Sequence, residues 1–166
     1  FFGSYEFAYT FTPYHVAIGD LNNDGKPDLV ATDDGSDRYI LNQGNGSDGL
    51  ADFGPASTFQ FSGGGGDDGF GGNNLIVDLN NDSYLDVFQA SGRVARQADR
   101  FGQDPYAEPN ILLQGTAANR FQEVEPRGGT AELTAATSRA AAFGDLDNDG
   151  DIDILIVNRD GPPHLM

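Results

Sequence analysis

A nine-residue acidic pattern, Asp-x-Asp/Asn-x-Asp-x-x-x-Asp, occurs three times in this chain of 166 residues. It occupies residues 20–28, 78–86 and 145–153, so its first aspartates lie 58 and 67 positions apart. A long motif that returns at such an interval indicates a repeated structural unit rather than a chance match. The chain is therefore expected to fold as consecutive units of similar structure, each built around one acidic segment.

Short apolar runs flank every acidic segment. The runs before them are residues 16–18, 75–77 and 141–143, and the runs after them are residues 29–31, 87–88 and 154–157. Their length and their content of β-branched and aromatic residues are typical of strands. Residues 5–12 alternate aromatic with polar or small side chains, which predicts a half-buried strand, and no stretch has a convincing helical period. We therefore predict an all-β fold of antiparallel strands in which the acidic segments are hairpin loops.

A second repeated sequence, here called the second marker, follows each of the first two acidic segments. Residues 40–44 (Ile-Leu-Asn-Gln-Gly) resemble residues 111–115 (Ile-Leu-Leu-Gln-Gly), and we align Ile40 with Ile111 and Gly44 with Gly115. Residues 92–109 form an apparent insertion before the second marker. Its arginines, Arg93 and two others, are interpreted either as part of a solvated loop or as a contact point for an acidic neighbour.

The acidic loops have the composition of a hard-cation site. Oxygen ligands at alternating positions converge on one ion when the chain curls around it, and position 7 adds a backbone carbonyl that any residue can supply. Three or four carboxylates, an amide, this carbonyl and a water give the roughly six or seven oxygens that Ca²⁺ prefers. We predict up to three calcium ions with these ligands: Asp20, Asn22, Asp24, Lys26 and Asp28; Asp78, Asn80, Asp82, Tyr84 and Asp86; Asp145, Asp147, Asp149, Asp151 and Asp153.

The three sites are not equivalent. Gly25 and Gly150 at position 6 suit a sharp turn, whereas Ser83 replaces glycine in the second loop and predicts strain there. The third loop has the most carboxylates and should bind most tightly. An EF-hand is excluded because position 12 is Ala31, Gln89 or Ile156 instead of an acidic ligand, and because the flanks are strands rather than helices.

These motifs resemble the FG-GAP/VCBS repeats of integrin α-subunit propellers and of related bacterial proteins. The similarity rests on the three acidic loops, on Phe70-Gly71 and Phe143-Gly144 near them, and on the Gln-Gly turns. It implies a β-propeller made of four-stranded antiparallel blades, with each calcium loop joining two strands of a blade. It also implies adhesion, recognition or scaffolding outside the cell.

The resemblance divides the chain into about two and a half blades. We predict a leading strand segment at 1–13, a first blade-like repeat at 14–66, a second at 67–128 with the insertion 92–109, and an incomplete third at 129–166. Because propellers close with four or more blades, either the chain is a fragment of a longer one or neighbouring copies complete each other's sheets. Residues 1–11 are a candidate strand for such completion.

Charge and composition narrow the possible functions. A net charge of −17 disfavours nucleic acid and anionic membranes as partners. The absence of cysteine excludes disulfides and thiolate chemistry, and no apolar run is long enough for membrane insertion. His15 and His164 are the only histidines and lie in no recognised catalytic motif, so we expect a protein that is not an enzyme.

The sequence therefore predicts a calcium-stabilised structural or adhesion module, secreted or displayed on the cell surface. Its expected partners are neighbouring copies or the rest of a longer chain, and an extracellular protein or glycan. One alternative is a glycan-binding, lectin-like propeller that uses tyrosines such as Tyr14 or Tyr106. Another is the non-catalytic part of a calcium-dependent polysaccharide-degrading enzyme.

Overall fold

The computed structural model describes residues 13–33, 37–59, 71–93, 104–117, 120–130 and 135–166. These residues form an all-β structure with one short 3-10 turn at Arg127–Gly129 and no α-helix within the described ranges. The predicted leading strand falls almost entirely outside them, since the description begins at Pro13. The strands are β1 (Pro13–Gly19), β2 (Asp28–Asp33), β3 (Arg38–Ile40), β4 (Asn42–Asn45), β5 (Ala51–Phe53), β6 (Ser57–Thr58), β7 (Gly71–Val77), β8 (Asp86–Ser91), β9 (Glu108–Pro109), β10 (Ile111–Thr116), β11 (Arg120–Glu123), β12 (Ala135–Ala136), β13 (Ser138–Gly144), β14 (Asp153–Asn158) and β15 (His164–Leu165).

Three antiparallel sheets repeat one arrangement. The first sheet has the order β1-β2-β3-β6, the second β7-β8-β10-β11, and the third β13-β14-β15. The first two strands of each sheet form a hairpin whose connection is an acidic loop, so the strands predicted on either side of these loops are confirmed. Several antiparallel sheets that do not close into a barrel are consistent with partial propeller blades. The boundaries proposed for the repeats stay predictions.

The sheets are held together by two apolar cores. The first core joins the first and second sheets and contains buried Val30, Phe59, Val87 and Ile111. The second core joins the second and third sheets around Phe88, whose side chain is fully buried. Each core forms because alternate residues of a strand point to opposite faces, so the middle sheet contributes one set of side chains to each neighbour.

Aromatic rings reinforce the first core. Tyr39 and Phe59 from the first sheet and Phe121 from the second lie with ring centroids 5.0–5.4 Å apart. The pairs that include Phe121 are edge-to-face, an arrangement that places the positive ring edge against the negative face of its neighbour. This cluster therefore adds a directional contact between two sheets.

The insertion attaches the second sheet to the third. Arg93, 4% exposed, forms a buried ion pair with Glu108. Arg139 on β13 donates hydrogen bonds to the carbonyls of Gly92 and Arg93, at 2.6 and 2.8 Å. Arg93 thus has an acidic partner inside its own insertion, which corrects the interpretation of the described end of this segment as a solvated loop. The other two arginines of the insertion lie outside the described residues.

The alignment predicted for the second marker was wrong by two positions. Ile40 pairs with Leu29, the residue after Asp28, and Leu113 pairs with Val87, the residue after Asp86. The structural counterpart of Ile40 is therefore Leu113 and not Ile111. The two segments were aligned by their similar residue types. Pairing in a sheet follows hydrogen-bond register instead, so this alignment gave the wrong counterpart.

Within the described ranges, no helix has the length and apolar character that a membrane-spanning helix needs.

Candidate metal sites

The three acidic loops share one internal hydrogen-bond pattern. In each, the backbone N–H at position 5 donates to side-chain oxygens at positions 1 and 3. For Asp24 the acceptors are Asp20 at 3.0 Å and Asn22 at 3.2 Å. The same pair of bonds measures 3.1 and 3.0 Å at Asp82, and 3.1 and 3.2 Å at Asp149. One N–H thus draws the predicted ligands at positions 1 and 3 to a common point.

The third loop concentrates the most negative charge. One carboxylate oxygen from each of Asp145, Asp147 and Asp149 lies within 4.8 Å of the other two, and all three side chains are exposed. Charges at that separation repel one another unless a cation lies among them. The three side chains therefore form a set of oxygen donors that a cation would complete.

Position 7 folds back onto position 5 in every loop. The N–H of Lys26, Tyr84 or Asp151 donates at 2.9 Å to the carboxylate at position 5. In the first loop the Lys26 ammonium also lies 2.8 Å from Asp24. This lysine therefore supplies a positive charge to the first loop, a feature that sequence reasoning missed because Lys26 was considered only for its carbonyl.

In the first two loops, the carboxylate at position 9 has a different environment from the others. Asp28 and Asp86 are 0% and 2% exposed. Oδ2 of Asp28 accepts a hydrogen bond from the Leu21 N–H at 2.8 Å, and Oδ1 accepts one from the Asn42 N–H at 2.7 Å. These bonds tie the loop to the chain that follows the third strand. Since a carboxylate oxygen has two lone pairs, an oxygen bonded in this way can still coordinate a cation.

Four non-glycine residues hold the loops in a left-handed backbone conformation. Asn23, Asn81 and Asn148 at position 4 have φ of 57–62°, and Ser83 at position 6 has φ of 72°. Asparagine tolerates this region better than most residues, which explains its presence in all three loops. The strain predicted at Ser83 agrees with its positive φ. The recurring asparagine was a signal that the sequence analysis did not use.

In the first two loops, the pKa of the position-5 carboxyl and that of the position-9 carboxyl shift in opposite directions. The hydrogen bond from the Lys26 ammonium lowers the pKa of Asp24, and the Tyr84 N–H lowers the pKa of Asp82. Burial raises the pKa of Asp28 and of Asp86, although two backbone N–H groups oppose the shift in each case. Asp24 and Asp82 thus favour the charged form that a cation requires.

The donor set fits calcium. The predicted side-chain ligands are carboxylate and amide oxygens, and the described parts of the loops contain no histidine among them. A flexible set of oxygens with several carboxylates suits Ca²⁺ better than Mg²⁺, which demands a tighter octahedron and retains its waters. The residues at positions 1, 3 and 5 would hold the ion, and calcium would compensate the negative charge that remains on these loops.

Residues considered for other functions have structural contacts. His15 accepts a 3.3 Å hydrogen bond at Nδ1 from the Asn74 N–H, between the first and second sheets. His164 lies on β15 and pairs with Ile156. The Tyr106 ring stacks under the Arg159 guanidinium, 4.6 Å from its centroid, whereas Tyr14 is exposed.

Comparison with known proteins gives one family match. Residues 20–89 match the model of the FG-GAP-like repeat family, a segment that contains the first two acidic loops. A search of curated proteins found no match. FG-GAP repeats often bind calcium, occur in extracellular proteins and build modules of the β-propeller type. Residues 20–89 are therefore similar to the FG-GAP-like repeat family, consistent with an FG-GAP/VCBS repeat protein.

Proposed function

We propose that this protein is a calcium-stabilised structural and adhesion module that functions outside the cell. The observation that carries the proposal is the equivalence of the three acidic loops, which share hydrogen bonds, backbone conformation and position between the first two strands of a sheet. A chemical function repeated in every structural unit is expected to serve the stability of the unit itself.

Charge repulsion gives calcium its effect on stability. The carboxylates at positions 1, 5 and 9 lie in one loop in each of the three sheets. A cation bound only by the folded loop stabilises the folded state, by about 1.4 kcal/mol per site when free calcium is ten times the dissociation constant. Calcium therefore stiffens the hairpins on which the sheets are built.

The three loops should differ in affinity. The third loop has four carboxylates at ligand positions and a fifth at Asp151. In the first loop, the Lys26 ammonium already contacts Asp24 and must move or share that carboxylate. In the second, Ser83 holds a strained conformation. We therefore expect the third loop to bind calcium most tightly.

The location follows from the expected affinity. Calcium loops of extracellular modules have dissociation constants of about 10⁻⁴–10⁻³ M. At the low calcium concentration of a cytosol they would carry no ion, whereas extracellular fluids would load them. We propose secretion or surface display on this basis, with an extracellular protein or glycan as the adhesion partner.

We further propose that the module is not catalytic. The carboxylates of the loops are engaged with backbone N–H groups and, in this proposal, with calcium. His15 is half-buried between two sheets, and its Nδ1 accepts a backbone hydrogen bond. These groups therefore have structural roles that leave them poorly placed as general acids or bases.

The test is calcium titration by calorimetry, combined with thermal unfolding with and without a chelator. We expect three binding events and a melting temperature that rises with calcium. Asp20→Asn, Asp78→Asn and Asp145→Asn should each remove one event. Asp52→Asn, on exposed β5 outside the loops, is the matched control and should retain all three.

Two results would contradict the proposal. One is unfolding that does not respond to calcium up to about 10 mM, well above the affinity of extracellular modules. The other is an equal response to magnesium, which would indicate general charge screening instead of a calcium site.

A further inference from the structure

Exposed large apolar side chains occur on only two faces of the described structure. Tyr14, Val16 and Ile18 of β1 lie on the side of the first sheet that faces away from the second, here called the leading face. Leu155 and Val157 of β14, Leu165 of β15 and Leu146 of the third loop lie on the side of the third sheet that faces away from the second, here called the trailing face. Their exposed fractions run from 38% at Leu155 to 68% at Ile18.

The internal repeat shows what normally covers the leading face. Ile18, Ile76 and Phe143 each lie two positions before the first aspartate of a loop. Ile76 packs in the core between the first and second sheets. Phe143 packs in the core between the second and third sheets, with its ring 6.4 Å from that of Phe88. At this position, a side chain twice contacts the preceding sheet, whereas Ile18 is 68% exposed and no sheet of the described residues lies against it.

The trailing face shows the same relationship in the opposite direction. Leu146 directly follows the first aspartate of its loop, as Leu21 and Leu79 do. Leu21 is 4% exposed in the first core, and Leu79 packs against the second core. Leu146, at 59% exposed, is the third copy of a residue that twice packs on the following sheet.

Strand register extends this equivalence across the trailing face. Leu165 pairs with Leu155 in the third sheet, as Tyr39 pairs with Val30 in the first and Leu112 with Phe88 in the second. Val30 and Tyr39 belong to the first core, and Phe88 and Leu112 to the second. The exposed pair Leu155 and Leu165 therefore occupies positions that form half of an interface between sheets in both other repeats.

The two faces are complementary halves of an interface that this chain already forms twice. We propose that the trailing face of one copy packs on the leading face of a second copy, head to tail, in the geometry of the internal contacts between sheets. Both halves are present in one chain and both remain exposed, so each copy carries the surface that the other requires.

This contact differs from sheet completion because it uses the faces of the sheets rather than their edges. It is heterologous, so the assembly closes into a ring if the rotation between copies permits and otherwise grows as a filament. The inference deepens the proposed structural role and rests on it, but it does not depend on the identity of the ion in the loops.

The experiment is sedimentation equilibrium of the whole chain in calcium and about 0.15 M salt, where the screening length is about 8 Å and the net negative charge is attenuated. We expect the wild type to form multiples of the chain mass of 17.6 kDa. Ile18→Glu blocks every leading face and Leu155→Glu blocks every trailing face, so each variant alone should be monomeric. An equimolar mixture should form a dimer, because one free face of each kind remains.

Two controls keep this test decisive. Gln122→Glu adds the same charge at an exposed position of β11 and should assemble like the wild type. Leu165→Glu also blocks the trailing face, at a more exposed site. It replaces Leu155→Glu if circular dichroism shows that the Leu155→Glu variant does not fold.

A monomeric wild type overturns the inference and assigns the faces to another protein or to further repeats of a longer chain. Continued assembly of the folded single variants also overturns it, because contacts between like faces or between sheet edges would survive them. Calorimetry on the same samples separates the two proposals. Normal calcium uptake by a monomer leaves the proposed function intact, whereas assembly without calcium uptake contradicts the proposed function alone.

Discussion

The Oδ1 atom of Asp28 accepts a hydrogen bond from the backbone N–H of Asn42 at 2.7 Å, across the first sheet. Gly115 donates to Asp86 in the same way at 2.9 Å in the second sheet. In the first two loops, the last aspartate thus anchors the loop to the chain at or after the third strand, while the aspartates at positions 1 and 5 are less buried. One motif therefore contains both a structural carboxylate and candidate ligands.

The first prediction separates these two roles. Asp28→Asn should lower the free energy of unfolding by about 1–3 kcal/mol, because an amide NH₂ would face a buried N–H donor that has lost its acceptor. The loss should appear in chelator as well as in calcium, as measured by urea unfolding.

Asp20→Asn is the contrasting variant, since Asp20 is less buried and its proposed role is to bind the ion. Asp20→Asn should lower the free energy of unfolding more in calcium than in chelator. If Asp28→Asn were neutral in chelator, the hydrogen bonds of its carboxylate would not be structural.

The second prediction concerns Ser83, which has φ of 72° where the other two loops have glycine. Ser83→Gly should stabilise the folded protein by up to about 1 kcal/mol, since a left-handed conformation costs a non-glycine residue about 1–2 kcal/mol and glycine gives part of that back in chain entropy. Thermal unfolding in chelator measures the effect. Gly150→Ser should lower the stability of the folded protein. If both changes shifted stability in the same direction and by the same amount, the strain at Ser83 would be ruled out.

The third prediction tests how closely the first two sheets approach. A Cβ atom added at Gly19 would lie 2.9 Å from Ile76 Cγ2 and 3.0 Å from Leu85 Cδ1. Gly19→Ala should therefore cost about 1–3 kcal/mol of stability, as overpacking of a core does. Gly144 is the equivalent position in the third sheet, where the nearest atom would be 3.9 Å away. Gly144→Ala should be tolerated in the monomer at low concentration, and an equal cost at both glycines would contradict the close approach.

The fourth prediction is a pH dependence that arises from His15. Burial lowers the pKa of His15 below its ordinary value of 6.5. Between the lowered value and 6.5 the unfolded chain binds more protons than the folded one, so stability rises with pH through this window. The contribution is complete above pH 6.5 and is lost as the pH falls. Urea unfolding of His15→Gln should show a shallower decline on acidification. His164→Gln is the control because it removes the other imidazole, and identical slopes for wild type and His15→Gln would exclude this origin.

The sequence predicted the local features well because short-range rules govern them. The strands on both sides of each acidic segment, the turn at Gly25 and the strain at Ser83 depend on neighbouring residues within one loop or strand. The assignment of ligand positions likewise used spacing alone and stays a prediction. The match of residues 20–89 to the FG-GAP-like repeat family agrees with the resemblance that the acidic loops indicated.

Contacts between residues that lie far apart in the chain were harder to predict from the sequence. The two copies of the second marker were misaligned by two positions, because similar residue types do not define hydrogen-bond register. The buried pair of Arg93 and Glu108 escaped notice because two residues separated by fifteen positions become neighbours only after the insertion folds against β13. The different environment of Asp28 was also hidden, since nothing in the motif distinguishes a carboxylate buried against Asn42 from one at the surface.

The sequence by itself determined the repeating unit, its strands and the oxygen donors of its loops, because these follow from spacing and side-chain chemistry. Only the tertiary structure decided which faces of the sheets meet and which remain exposed. Alternation along a strand shows that Ile18 and Ile76 point to equivalent sides, but it does not reveal that Ile76 packs between two sheets whereas Ile18 is exposed, with no sheet of the described residues against it. That difference depends on the stacking of whole sheets, and it converts two ordinary isoleucines into a core residue and part of an interface.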